Sequence, residues 1–564
     1  MNHKTERRTE VPCHATSSQR DGSVLLVVLV VIVVLSLGIY TFAELSYSET
    51  QAARMFGRDA QTRAWADSGI EIAMAVLDRR VNLDDDDFYN RPDLFANVLL
   101  SESSAARGRG RVSLVAAAEN DPQSSGIRFG IGNESGKLNL NVLVKWGLED
   151  VAARQVLLAL PEMTLETADA ILDWIDSDFK RRPDGAESLY YLGLPQSYWA
   201  ANKPIKSLEE LLMVRGVTPQ LLYGEDRNRN GLLDPGEDNG DGILQLGWSA
   251  YLTIYSKESN RQLDGEERIN LNEEVLATLY DQLEDEYDEQ TARFVTAFRM
   301  TGPKSESPSG SQPGASPGQA APGADGAVTK VETATTPTTS TDDSDDPDET
   351  PAAKRNREMR KQLNTKPENA KRGGMDLTGG AKVKIKSIYE LLDVSSEATI
   401  DGKSTTLESP WKTDGRDIRR TLPMLLERVS TTPADVIVGR ININHARHEV
   451  LVGLPGMSES LAGAIMRSSL AYAGGSTGRD EDRQTTAWLL LERRATLEQM
   501  RLLDKYLTAR GDVYRAQSIG YFDEGGPTTR LEAVIDATQV PPKLLLYRDF
   551  TALGKGYTDS QLSP

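Results

Sequence analysis

The sequence predicts an α+β protein: one N-terminal transmembrane helix, a small antiparallel-sheet head, and a large, mostly helical insertion of short helix-turn-helix units. Three observations predict it. An apolar run from Val24 to Ala43 carries no formal charge. Strand-like alternation follows in RVSLVAA (111–117) and IRFGIG (127–132). Helical patterns then recur as internal repeats along most of the remaining chain.

The N-terminal run is long enough to span a membrane, since about twenty helical residues cross a hydrocarbon core of roughly 30 Å. A secretory signal has a shorter apolar core, about 7–15 residues, with its small-residue cleavage site behind it. Here the small residue, Gly22, stands in front of the run. Arg7, Arg8 and Arg20 precede it, which holds the leader in the cytoplasm and sends everything after Leu45 outside. Ala66, Ile70, Ala73 and Leu77 continue at three- and four-residue steps, and no proline falls between Val24 and Arg91. One helix is therefore expected from about Val24 to Arg80, its outer half packed on the head. The two strand patterns flank the turn-rich NDPQSSG and predict a hairpin.

The repeats come in three patterns. Basic-apolar-Asn-apolar-Asn occurs as KLNLN (137–141), RINLN (268–272) and RININ (440–444). IKSLEELLMV (205–214) matches IKSIYELLDV (385–394), and LPEMTLETADAIL (160–172) matches LPGMSESLAGAIM (454–466). Ser or Thr precedes the helical patterns, as an N-cap does.

Composition narrows the function. The net charge of −20 argues against nucleic acid as the main partner. The one cysteine, Cys13, lies in the leader, so the chain beyond it forms no disulfide of its own. Four histidines, two of them in the leader, leave little material for a zinc site. His445 and His448 follow the last Asn-x-Asn pattern without a serine or cysteine motif, and no nucleotide-binding glycine loop occurs. A non-enzymatic component is expected.

A leader ending in glycine, followed by a small residue and an apolar helix, resembles the type IV prepilin signal. The resemblance implies a cytoplasmic cut by prepilin peptidase between Gly22 and Ser23. Members usually carry Glu at the fifth mature position, where this chain has Val27. The type II secretion minor pseudopilin K family typically lacks that glutamate. Its recurring text appears here in order: NLN (139–141), DWIDSD (173–178), GAESLYY (185–191), NKP (202–204) and SLEELL (207–212). Resemblance to this family implies a pilin-like helix and head, minor pseudopilins I and J as partners at a pseudopilus tip, and calcium as cofactor. It also implies a single-pass inner-membrane protein, N-terminus cytoplasmic and bulk periplasmic, that helps export folded proteins across the outer membrane. The second IKS…ELL…ININ cassette, about 381–445, exceeds the family pattern. LPGMSESLAGAI also resembles a helix-hairpin-helix, which opens an alternative: a membrane-tethered DNA receptor. Against it stand Ser458 in place of the second hairpin glycine, Glu162 in the sister copy, and few cations.

The sharpest chemical motif is DRNRNGLLDPGE (226–237). An EF-hand loop takes oxygen ligands at positions one, three, five, seven, nine and twelve, with glycine at six. The segment supplies Asp226, Asn228, Asn230, the carbonyl of Leu232, Asp234 and Glu237, with Gly231 at six. EDNGDG offers an overlapping second site through Asn239 and Asp241. DWIDSD with Asp184 and Glu187 offers another oxygen cluster, or else Asp173, Asp176 and Asp178 cap helices or face water.

The expected organisation is a leader (1–22), a transmembrane and extended helix (23–80), head and helical insertion with the calcium loop (81–300), a disordered low-complexity linker (301–380), and the second cassette with the C-terminal part of the head (381–564). The linker is Ser/Gly/Pro-rich with opposed charge blocks, a composition that buries too little apolar surface to order itself.

Overall fold

The computed structural model describes residues 21–78, 88–117, 126–148, 150–304, 370–473 and 481–562. Helix α1 runs from Asp21 to Asp78. Strands β1 (Val98–Ser101), β2 (Gly110–Ala117), β3 (Ile127–Phe129) and β4 (Gly132–Asn133) follow it. Strands β5 (Val513–Phe522), β6 (Thr529–Asp536) and β7 (Lys543–Asp549) come from the far end of the chain. Together they make one seven-stranded sheet in the order β1-β2-β5-β6-β7, with β3 on β2 and β4 on β5. All its pairings are antiparallel, and RVSLVAA and IRFGIG do pair, Val115 opposite Phe129. Because β2 bonds directly to β5, residues 134–512 form an insertion between neighbours of one sheet.

The C-terminal half of α1, the outer half of the expected helix, crosses this sheet. Its stripe of Ala66, Ile70, Ala73 and Leu77 is buried against Ala516, Ile519, Leu531, Ala533 and Ile535. The approach is close because glycines sit at the crossing. A Cβ on Gly520 would lie 2.1 Å from the Thr62 carbonyl oxygen, and one on Gly69 the same distance from Ser518 Oγ. Ser518 Oγ in turn donates to the Ala66 carbonyl at 2.7 Å. The N-terminal half of α1 is exposed along its whole apolar run, with Val24, Leu25 and Phe42 among many large apolar side chains facing outward. Among the described residues this is the one helix long and apolar enough to cross a membrane.

Strand β6 is buried on both faces. Leu531, Ala533 and Ile535 face α1. Arg530, Glu532 and Asp536 face the insertion, and the contacts there are ionic. Arg515 on β5 donates to Glu134 Oε1 at 2.7 Å and pairs with Glu532 Oε1 at 2.9 Å. Arg548 on β7 forks onto Glu209, and Lys257 Nζ reaches Asp536 Oδ2 at 2.8 Å. Burial alone would raise Glu134 and Glu209. Charge and hydrogen bonds outweigh it: Arg515 and Lys137 hold Glu134 well below the usual carboxylate range, and Arg548 with Ser207 brings Glu209 down to about 2.

The insertion is one unit built three times. In each, an Asn-x-Asn strand pairs in parallel with a short strand that closes the unit: Leu138–Asn139 with Leu252–Thr253, Ile269–Asn270 with Val429–Ser430, and Ile441–Asn442 with Leu507–Thr508. The first asparagine folds the turn, accepting the backbone N–H of the second at 3.1, 3.1 and 3.0 Å. The second clamps the backbone of a distant segment. Asn141 gives and takes a hydrogen bond with Ile205, both 2.9 Å, and Asn272 does the same with Ile385 at 2.8 and 2.9 Å. Asn444 donates to the carbonyl of Arg483 at 3.0 Å. Between strand and clamp lies a helix pair: Asp150–Leu158 with Leu165–Ile175, Leu276–Glu286 with Glu289–Thr301, and His448–Val452 with Glu459–Ala473. Thr164, Asp288 and Ser458 cap the second helices through Thr167, Thr291 and Leu461 N–H. The three units share one apolar core.

Part of the stretch expected to be linker, residues 370–380, packs with the insertion. Helix Glu289–Thr301 extends into the expected linker, and Lys371–Arg372 and Met375–Asp376 form strands that join Ser395–Ile400 and Lys403–Glu408. Met375 and Leu377 are buried in the insertion core, so apolar anchors close together in sequence order this stretch. Residues 305–369, most of the low-complexity segment, lie outside the described residues, as does the leader over 1–20.

Gly520→Ala should cost about 1–3 kcal/mol, because the methyl meets main chain that cannot move aside; a lowered Tm in scanning calorimetry, with Gly57→Ala, where an added Cβ meets nothing within 4 Å, as the control, checks this. The Glu209–Arg548 pair sets a pH window. A depressed carboxylate stabilises the fold above its unfolded pKa of about 4.3, and that stability disappears as pH falls towards the folded value. With solvent screening of this partly exposed pair the loss is ~1–2 kcal/mol. Thermal melts between pH 6 and pH 3 should therefore drop less for Glu209→Gln than for the parent chain.

Candidate metal centre

Two oxygen-rich sites lie in the first unit and the loop that follows its helices. The loop 226–237 folds as a tight turn about Gly231, whose φ is 73°. Asp226 stands at its root, nearly buried, and accepts Asn230 N–H at 3.0 Å and Gly231 N–H at 2.8 Å. The amide groups of Asn228 and Asn230 both reach Asp234 Oδ2, at 2.6 and 3.0 Å. Glu237 Oε1 accepts from the Arg227 and Asn228 backbone, while its Oε2 is buried without a partner. Leu232 donates its N–H to Asn230 Oδ1 at 2.8 Å and buries its side chain in the head core. Of the five polar side chains singled out in this loop, Asn228, Asn230 and Asp234 are joined directly, while Asp226 and Glu237 bond to the loop's backbone. Burial raises the Asp226 pKa, and the Glu237 charge adds to it. Asn239 and Asp241 sit on the exposed turn beyond, where Asp241 accepts from Ile243 N–H and Gln245.

The loop is clasped from the head side. Its carbonyls at Asn228, Arg229 and Asn230 accept from Arg530, Gln517 Nε2 (2.9 Å) and Tyr557 OH (3.0 Å), and Asn230 Nδ2 donates to the Gly556 carbonyl at 2.6 Å.

The second site gathers Asp176, Asp178 and Glu187, with one oxygen from each within 4.8 Å of the others. Asn202, at a left-handed φ of 44°, joins them by donating to Glu187 Oε2 and the Asp178 carbonyl. Asp176 Oδ1, Glu187 Oε1 and Asn202 Oδ1 are all buried without a hydrogen-bond partner. Three orphaned oxygens at one point are costly unless a cation takes them. Burial pushes Asp176 up to about 6, against the hydrogen bond from Arg182, and also raises Glu187. The remaining acids of this stretch go elsewhere. Asp173 is held by Arg182 at 2.9 Å, and Asp184 is exposed. Gly185 is required here, since a Cβ would lie 2.0 Å from Asp173 Oδ2. Asn202 was visible only as part of NKP, because fourteen residues separate it from Glu187 and its backbone turn brings it back.

Residues 136–223 match the family model for type II secretion system protein K. This stretch is similar to the protein K domain. The match spans the first unit from its Asn-x-Asn strand to the helix Pro219–Tyr223 and contains the whole Asp176–Asn202 site. The family resemblance seen in NLN, DWIDSD, GAESLYY, NKP and SLEELL is borne out over this stretch. A solved structure, the GspK–GspI–GspJ complex from the type 2 secretion system of enterotoxigenic Escherichia coli, aligns over 89% of this chain and 99% of that chain, at 11% identity and TM-score 0.33. No curated protein matches the chain.

The other residues noted in sequence take structural positions. Gly22 and Ser23 lie in the first turn of α1. Glu162 adopts φ 57° where its sister Gly456 has 87°, so the two hairpins turn alike despite the missing glycine. In the second hairpin Leu454, Leu461, Ala462 and Ile465 are core residues. His445 packs 5.7 Å from the Tyr89 ring, and His448 Nε2 lies 3.0 Å from Glu459.

Proposed function

We propose that the chain is a non-enzymatic minor pseudopilin at the tip of a type II secretion pseudopilus, assisting export of folded proteins across the outer membrane. The observation that carries this reading is the protein K domain inserted in a head whose own helix α1 continues into a bare apolar run. In this reading Val24–Ala43 crosses the inner membrane once, with the leader cytoplasmic and the bulk of the chain periplasmic. Prepilin peptidase cuts between Gly22 and Ser23, and minor pseudopilins I and J are the partners. Val27 supports the tip position. A fifth-position glutamate buried in lipid needs a neighbour's amine, and a subunit with none above it is better served by an apolar side chain.

Calcium is the cation that suits both oxygen sites, because it takes six to eight hard oxygens in flexible geometry. Asp176, Asp178, Glu187 and Asn202 would hold one ion, and Asp226, Asn228, Asn230, the Leu232 carbonyl, Asp234 and Glu237 another. The loop ion would keep fixed the turn that bonds to Arg530, Gln517 and Tyr557, and so the seating of the first unit on the sheet.

Mass spectrometry of the membrane-extracted chain should give an N-terminus at Ser23, and I and J should co-purify with it. An intact Met1, or long homopolymers of this chain alone, would count against the assignment. Calorimetry of the chelator-treated full chain should show calcium uptake in two classes. Asp176→Asn with Glu187→Gln should remove one class, and Asp226→Ala with Glu237→Ala the other. At ten times the dissociation constant, calcium should add about 1.4 kcal/mol to stability. No uptake at millimolar calcium would refute the cation reading.

A further inference from the structure

The segments that carry the Asp176–Asn202 site also carry the most exposed large apolar side chains of the first unit. Phe179 is 74% exposed, Leu189 87% and Trp199 67%. They come from three separate segments, and the structure ties those segments together. Asn202 Nδ2 donates to the Asp178 carbonyl, which joins the Phe179 loop to the stretch after Trp199. Ala200 N–H donates to Ser188 Oγ at 3.2 Å, which joins Trp199 to Leu189. Tyr190, half-exposed, lies beside Leu189 with the Arg215 guanidinium 5.3 Å over its ring.

A core defect does not explain this surface. Trp174, Tyr191 and Tyr198, from the same part of the unit, pack on one another edge-to-face or stacked, at ring separations of 5.1 to 6.2 Å. The exposed apolar side chains are therefore carried by segments that have a packed aromatic cluster of their own. Their charged neighbours are predominantly cationic, in a chain whose net charge is −20. Lys180, Arg181 and Lys203 are exposed and form no ion pair among the described residues. The exposed acids of the same loops are Asp178, which belongs to the oxygen site, and Asp184.

We propose that this face docks on an anionic lipid surface. Phe179, Leu189 and Trp199 enter the headgroup boundary, and Lys180, Arg181 and Lys203 meet the anionic headgroups. Aromatic and long apolar side chains prefer that boundary, and each nearby cation adds about 1 kcal/mol to its attraction for anionic lipid. Charge complementarity selects this occupant. An apolar protein surface would have no use for three unpaired cations among the tips, and an otherwise acidic chain would be repelled from such a membrane everywhere else. The α1 anchor is separate from this contact, since the two surfaces belong to different elements, more than a hundred residues apart.

The test uses the full chain with α1 held in phosphatidylcholine nanodiscs, mixed with separate vesicles of phosphatidylglycerol or of phosphatidylcholine and floated on a density gradient. The parent chain should float with the phosphatidylglycerol vesicles, and high salt should weaken the association. Phe179→Ser with Leu189→Ser and Trp199→Ser should reduce it, and Lys180→Glu with Arg181→Glu and Lys203→Glu should reduce it about tenfold or more. All six positions are exposed, and thermal melts identify any variant that misfolds. If the apolar triple misfolds, the charge-reversal triple decides alone. The proposal is overturned if the parent does not float, if it floats equally with both lipids, or if charge reversal leaves flotation unchanged. It is also overturned if these variants disturb only binding of a partner protein, since the face is then a protein-docking surface.

Discussion

Arg515 bonds the two halves of this molecule. It lies on the central strand β5, pairs with Glu532 on the neighbouring strand, and reaches across to Glu134 at the threshold of the insertion. Glu134 is almost wholly buried, so its charge is tolerable only with that partner. The sheet thus has two unlike faces. One is apolar and closes on α1. The other is charged, and the insertion docks on it through paired ions at Arg515, Arg548 and Lys257. A charged face gives a defined orientation, because each ion must find its own partner.

The insertion can be large because it repeats a self-closing unit. An Asn-x-Asn strand opens each unit, and a parallel strand closes it beside its start. The second asparagine uses its amide to satisfy backbone groups that no strand reaches. A unit that returns to its own beginning can be added without disturbing the sheet that carries it. The second unit shows this freedom, since it accommodates both the low-complexity segment and an extra four-stranded sheet.

The oxygen sites lie where this construction needs reinforcement. One ties three loops of the first unit, and the other lies in a turn whose carbonyls are held by β5, β6 and the C-terminal Tyr557. In the proposed reading a cation at each place would offset the repulsion between neighbouring carboxylates and fix the backbone.

Much was legible from sequence because the physics involved is local. The span of Val24–Ala43 follows from charge and length, and the Ala66–Leu77 stripe from helical period. The tight turn of the loop 226–237 follows from its glycine at 231. The Asn-x-Asn pattern was visible three times because side-chain amides do the bonding there. The IKS pattern was visible only twice because its role is played by main-chain groups, so Arg483 stands in for Ile205 and Ile385 with no matching side chain. The pairing of β2 with β5 joins residues some four hundred positions apart, and no local signal carries it. The same holds for the ionic face of β6, whose Arg530 and Glu532 read as ordinary outward residues of an alternating strand. The Asp176–Asn202 site also needed the tertiary structure. Its acids were visible as a cluster, but which of them converge, and that Asn202 joins them, depended on a left-handed turn and on Arg182 drawing Asp173 away.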